Sequence, residues 1–179
     1  RFNNPPSTVL YHAECADGFG AAWAIWKQYP NTRFIPVKHG NPPPADLQDQ
    51  RVVIVDFSYS RPILETMAAE TKDLLILDHH ITAEQSLAGL PYAYFDLKKS
   101  GAVLGWEWAH GTPAPWLLQY IQDKDLWNWE LPGFPSKWAP HAAVFQEIWA
   151  PSRFVQQAIA AAVDVPVRCL PFCVALPPA

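Results

Sequence analysis

The strongest constraint on this chain is a change of period that recurs along its first two thirds. Short apolar runs alternate with stretches of helical spacing, and several of the runs end in imidazole or carboxylate side chains. Ser7 to His12 reads as a buried strand ending at a histidine. Phe19, Trp23, Trp26 and Tyr29 then recur at the spacing of one helical face, taken as the buried face, and Pro30 ends the helix. Thr32 to Val37 is a second strand, placed at a sheet edge by Pro36. Arg51 to Asp56 is a β-branched run, Pro62 to Thr71 a helix, and Leu74 to Leu77 a further apolar strand closing on Asp78-His79-His80. Tyr92 to Phe95 gives a fifth strand, and Ser100 caps a helix from Gly101 to His110. Strands alternating with helices of about ten residues predict an α/β domain with a parallel sheet of about five strands flanked by helices.

From Pro115 onward no strand pattern is visible. This region reads as helices around Asp123-Lys124-Asp125-Leu126-Trp127, with a further helix over Phe154 to Val163. Residues 1–130 are thus expected to form the α/β domain. Residues 131–179 would be a helical extension with a Pro-rich tail, resembling a truncated or minimal second domain; Val165 to Ala179 takes no assignable fold.

Composition removes several function classes. The formal charge of −4 argues against neutralising many backbone phosphates, so long nucleic acid is not an expected partner. No apolar run approaches the ~18 residues of a membrane span. The cysteines, Cys15, Cys169 and Cys173, form neither a disulfide framework nor a zinc spacing, which fits a reducing, cytoplasmic setting. The 9 tryptophans suggest carbohydrate or base stacking, but strand–helix alternation contradicts an all-β sugar-binding module. Most therefore read as packing between helices and sheet, with Trp127 and Trp129 kept as candidates for stacking a base.

Chemistry collects at the strand ends. His12 ends the first strand with Asp17 five residues on, Asp56 ends the third, and Asp78-His79-His80 follows the fourth. In an open parallel sheet, ligands bind outside the carboxyl ends of the strands. Taken singly, each of these residues is most simply a turn former, a cap or a satisfied histidine. Together they offer mixed imidazole and carboxylate ligands, a set suited to Mn2+, Mg2+ or Fe2+, and more of them than one ion needs.

Four segments in order carry a specific resemblance: Tyr11-His12-Ala13-Glu14-Cys15-Ala16-Asp17-Gly18, Val55-Asp56-Phe57-Ser58, Asp78-His79-His80 followed by Ile81-Thr82-Ala83, and Asp123-Lys124-Asp125-Leu126-Trp127. The chain resembles the DHH phosphoesterase superfamily over roughly residues 8 to 130. That resemblance implies a two-metal hydrolase, usually Mn2+-dependent with Mg2+ as the alternative, in which activated water attacks phosphorus in line. It implies a first metal held by His12 and Asp56, and a second held by Asp17, Asp56, His79 and Asp125, with Asp123 competing for the last place. Asp78 would orient His79, and His80 would face the phosphoryl group. The expected substrate is a small phosphorylated molecule such as a nucleotide or short oligonucleotide. A pyrophosphate or polyphosphate hydrolase and a weak metal-binding pseudoenzyme are the alternatives, and homo-oligomerisation is open.

The chain departs from the family where an aspartate commonly precedes Asp17 by two residues and Cys15 stands instead. Three readings of that position are open: Glu14 substitutes, Cys15 ligates as a thiolate, or Cys15 is inert beside a vacant or weak first site. For substrate, Lys98, Lys99, Ser100 and Gly101 at a helix start are candidate phosphate contacts, and His39 is a candidate from the edge strand; each is equally an ordinary exposed turn.

Overall fold

Apolar runs that are hydrophobic on both faces need cover on both faces, and the chain supplies it. The computed structural model describes residues 4–128, 130, 131, 148–150, 157, 160 and 166–169. Strands β1 (Thr8–His12), β2 (Arg33–Val37), β3 (Arg51–Val55), β4 (Asp73–Asp78) and β5 (Ala93–Phe95) form one sheet in the order β2-β1-β3-β4-β5. Every neighbouring pair is parallel. The fold is therefore α/β, with a five-stranded parallel sheet flanked by helices. Helices α1 (Ala16–Gln28), α2 (Arg61–Glu70), α3 (Ile81–Leu87), α4 (Gly101–His110) and α5 (Trp116–Asp125) complete the unit that spans Arg1–Asn128.

The alternation of side chains along the strands divides the core in two. Leu10, Val52, Ile54, Leu74 and Ile76 pack with Leu64 and Met67 of α2 and Leu87 of α3. Val9, Val53, Val55 and Leu77, from the other face, pack with Ala21 and Ile25 of α1 and Leu104 and Ala109 of α4. The strand order reverses between β1 and β3, so the chain leaves these neighbours toward opposite faces and a crevice opens at their carboxyl ends. His12 and Asp56 stand at that crevice.

The buried face of α1 differs from the expected one. Phe19 is 59% exposed and Trp26 46% exposed, while Gly18, Gly20, Ala21, Ala22, Ala24 and Ile25 are buried. The reason is close approach. A Cβ at Gly20 would come within 2.9 Å of Ile121 and 3.0 Å of Ala102, and one at Gly105 within 3.2 Å of the Ala21 carbonyl oxygen. Small residues let α1 lie against α4 and α5, and the aromatic side chains are left outside or at the rim, where Trp23 stacks on Trp106 at 6.0 Å. Trp127 is 77% exposed.

Helix α3 is a further departure, since Ile81–Leu87 carried no expected element. Beyond Asn128 lies a second unit, Trp129–Ala179. Its described residues include two short strands, β6 (Ile148–Ala150) and β7 (Val167–Cys169), paired parallel where no strand pattern was read. Gln157 and Ala160 are helical, inside the expected Phe154–Val163 helix. The rest of that helix, Trp129 and most of the Pro-rich tail lie outside the described residues.

Candidate metal centre

The turn out of β3 builds the centre of the site. Asp56 follows Val55 with φ +65°, a left-handed conformation that aspartate tolerates better than most residues. Its N–H still donates to the Leu77 carbonyl at 3.0 Å, which holds it to the sheet while its carboxylate turns into the crevice. Asp56 is 1% exposed. Its two oxygens divide the neighbourhood. Oδ1 is 3.1 Å from His79 Nε2, and Oδ2 is 3.5 Å from His12 Nδ1. Oδ2 has no hydrogen-bond partner although it is buried.

Helix α1 delivers Asp17, and two glycines make its position attainable. A Cβ on Gly18 would lie 2.1 Å from the His12 carbonyl oxygen, so this turn of α1 sits directly on the end of β1. A Cβ on Gly101 would lie 2.5 Å from Asp56 Cβ and 2.7 Å from its Oδ1, so the start of α4 touches Asp56. Asp17 spans that junction. The Gly101 N–H donates to its Oδ2 at 2.5 Å and the Ala102 N–H to its Oδ1 at 3.0 Å. The carboxylate of one helix thereby caps another, against the positive end of the α4 dipole. Asp17 Oδ2 is also 3.6 Å from His79 Nε2.

His79 is the hub. Its Nε2 faces Asp56, Asp17 and, at 3.5 Å, Oδ2 of Asp125 at the end of α5. Three groups of side chains have ligand atoms within 4.8 Å of one another: His12, Cys15 and Asp56; Asp17, His79 and Asp125; and Asp56, His79 and His80. Asp123 lies outside them. So does Glu14, which is exposed and paired with Lys38 at 2.5 Å. Among the open readings of the Cys15 position, the geometry therefore leaves Glu14 aside and brings Cys15 to His12 and Asp56.

The electrostatics express the crowding of carboxylates. Burial pushes the Asp17 carboxyl well above the usual carboxylate range, and the neighbouring Asp56 charge pushes the same way. Burial also acts upward on Asp56, but the His12 and His79 imidazoles outweigh it and hold Asp56 below that range. Burial raises Asp125 despite His79 nearby. Burial raises the Cys15 thiol, with the Asp56 and Asp17 charges adding, against the α1 N–H groups of Gly18 and Asp17 that favour the thiolate. The Asp56 carboxylate raises His12 against partial burial. A site in which buried carboxylates crowd one another suits a cation, which would relieve their mutual repulsion. The donor set and the orphaned Asp56 Oδ2 both fit a divalent metal ion.

Two expected roles change. Asp78 does not touch the His79 ring. Its Oδ1 lies 2.7 Å from His80 Nδ1 and accepts from the backbone N–H of His79 at 2.8 Å. The carboxylate is fully buried, so it fixes the His79 backbone and orients the His80 ring; the hydrogen bond to Asp78 raises the His80 pKa, against partial burial. The second change is at the start of α4. Its first N–H groups are already bound by Asp17, Ser100 is buried, and the Ser100 N–H donates to Gln122 Oε1 at 3.0 Å. Lys99 is committed to Glu107 at 2.8 Å and Asp96 at 3.3 Å, and Lys98 is exposed. The Ser100 and Gly101 N–H groups and the Lys99 ammonium are thus engaged within the fold. His39 is exposed and belongs to none of the three groups. Sequence reasoning missed Gln122 as the partner of the α4 start, and no local signal marks it.

No protein-family model matches the chain. It is 34% identical over 148 residues to an uncharacterized protein of Acanthamoeba polyphaga mimivirus, with 69% of this chain aligned. The chain spans about a third of that protein's length, 34%. Among solved structures it is similar to an uncharacterized protein from Helicobacter pylori, with a TM-score of 0.56 and 12% sequence identity. That match covers 69% of this chain and 43% of the other, and it is a likeness of fold.

Proposed function

We propose that the chain is a metal-dependent phosphoesterase of the DHH type, acting on a small phosphorylated substrate such as a nucleotide or short oligonucleotide. One observation carries this reading: a buried aspartate, Asp56, turns one carboxylate oxygen toward His12 and the other toward His79, whose Nε2 also faces Asp17 and Asp125. That is the arrangement a bridging carboxylate needs to serve two cations. His12 and Asp56 would hold the first ion; Asp17, Asp56, His79 and Asp125 would hold the second. Mn2+ suits the imidazole and carboxylate donors, with Mg2+ as the alternative. When bound, such ions supply Lewis acidity and bring the pKa of water toward neutrality.

The chain's own residues have separate tasks. Asp17 neutralises the α4 start and fixes its distance from Asp56. His80, half-exposed and held by Asp78, stands beside Asp56 and His79, and its raised pKa favours the protonated ring that would offset developing charge on a phosphoryl oxygen. The engagement of Lys99 with Glu107 and Asp96 favours a substrate with one phosphoryl group in the crevice over a polyphosphate, which needs more unengaged cations. No helix among the described residues is long and apolar enough to cross a membrane. A reducing, cytoplasmic setting would keep Cys15 a thiol.

The test is a Mn2+ assay of the full chain on bis-p-nitrophenyl phosphate, dinucleotides and pyrophosphate, with Asp56→Ala beside it and metal stoichiometry measured for both. Hydrolysis of the diesters, lost with bound metal in the variant, is expected. Inactivity on all substrates together with metal binding indifferent to Asp56→Ala refutes the reading.

A further inference from the structure

Cys15 occupies a place where geometry and chemistry make it more than a buried thiol. It is the N-cap of α1. Its sulfur lies within 4.8 Å of a ligand nitrogen of His12 and a carboxylate oxygen of Asp56. Independently of the cysteine, Asp56 Oδ2 is a buried polar atom without a hydrogen-bond partner on the side facing His12. Leaving such an oxygen unsatisfied costs about 1–3 kcal/mol or more for a charged group. Glu14, the neighbouring carboxylate, points away to Lys38 and is not available as a third donor.

We propose that the first cation site is a mixed His12–Cys15–Asp56 site that selects a thiophilic or borderline ion, Zn2+, Co2+ or Fe2+, beside a second site of nitrogen and oxygen donors that takes Mn2+ or Mg2+. The proposal rests on the two-cation reading given above and assigns the two places different chemistry. Thiolate ligands favour softer cations, whereas carboxylate and water ligands favour Mg2+ and Mn2+. As a thiolate the sulfur brings its own negative charge, which would help to balance a divalent cation beside Asp56. The two places share Asp56 as their one common ligand, with one oxygen toward His12 and the other toward His79, and each draws its remaining donors from different residues.

The experiment is a Co2+ titration of the metal-stripped full chain, followed by absorption, for wild type, Cys15→Ser and Cys15→Asp, with bound metal counted in each. Wild type is expected to show a sulfur-to-cobalt charge-transfer band in the near ultraviolet. Both variants should lose it and keep the visible cobalt bands of the second site. Competition between Cd2+ and Mn2+ gives a readout independent of colour: Cys15→Asp should lower Cd2+ affinity at the first site relative to Mn2+ by more than ~100-fold, beyond what loss of a supporting partner alone commonly costs. The sequence also holds Cys169 and Cys173, so a band that survives Cys15→Ser overturns the assignment. Two bound Co2+ ions with no charge-transfer band overturn this proposal and leave the two-cation reading intact. Absence of Co2+ binding overturns both.

Discussion

Replacing Gly101 with alanine tests how the site is held together. The added Cβ would stand 2.5 Å from Asp56 Cβ, 2.7 Å from its Oδ1 and 2.8 Å from its Cγ. Asp56 cannot yield cheaply, because it is buried and fixed to Leu77 through its backbone N–H. Either α4 retreats or Asp56 turns. Overpacking a buried contact costs about 1–3 kcal/mol. A retreat of α4 also stretches the hydrogen bonds from Gly101 and Ala102 to Asp17, and a bond to a charged acceptor is worth about 1.5–3 kcal/mol. The helical preference for alanine over glycine returns about 0.5–1 kcal/mol. The net expectation is a loss of about 1.5–5.5 kcal/mol. For a chain of this length that lowers the melting temperature by about 3–22 °C. Calorimetric melting of the metal-free protein and Mn2+ titration check it, the affinity falling with the stability. Gly40→Ala is the control. Its φ is +87° but nothing lies within 4 Å, so it carries backbone strain alone and should leave Mn2+ affinity unchanged. A Gly101→Ala protein that melts with wild type and binds Mn2+ equally would refute the claim that this glycine sets the distance between α4 and Asp56.

Three further outcomes are expected. Phe19→Ser should change stability by no more than about 0.5 kcal/mol in urea denaturation, because the side chain is largely exposed; a core-sized loss would restore the aromatic face of α1 to the interior. Ile54→Ala, at a fully buried position between β3 and α2, should cost about 2–5 kcal/mol in the same assay. Asp78→Asn should move the His80 pKa down toward the ordinary 6.5, read by NMR titration of the metal-free protein. The pair's contribution to stability is full below 6.5 and lost as pH rises through the raised folded value, so the variant should be more damaging at pH 6 than at pH 9. An unmoved His80 titration would show that Asp78 serves only the backbone.

Much of the architecture is legible in the sequence because it rests on period. The five parallel strands announce themselves as β-branched or apolar runs, and Ser100 and Gly101 mark the start of α4 to the residue. What is not legible depends on distance in space. Aromatic residues at 19, 23 and 26 look like a buried face by size, but α1 buries its glycines and alanines because its neighbours come too close for anything larger. Asp17 reads as a ligand or a cap of its own helix; that it caps α4 depends on a partner 84 positions away. The basic run before α4 looks like a phosphate site until Glu107, one helix face later, is seen to take Lys99. Helix α3 is too short and too polar to announce itself beside the tripeptide that precedes it.

The bond from Asp17 to the start of α4 also governs when the site can exist. Its acceptor is made early in the chain and its donors 84 residues later, and Asp125 follows at the end of α5. Closing contacts so far apart in sequence is slow, since loop entropy is lost before the contact is gained. A nascent or cleaved chain that stops before α5 would hold β1, β3 and β4 without the full donor set. On the reading proposed above, cation binding at the Asp17–His79–Asp125 group would be coupled to completion of the α/β unit, and a bound ion would stabilise the finished fold by mass action over every incomplete one. The cation would then be a late clasp on folding.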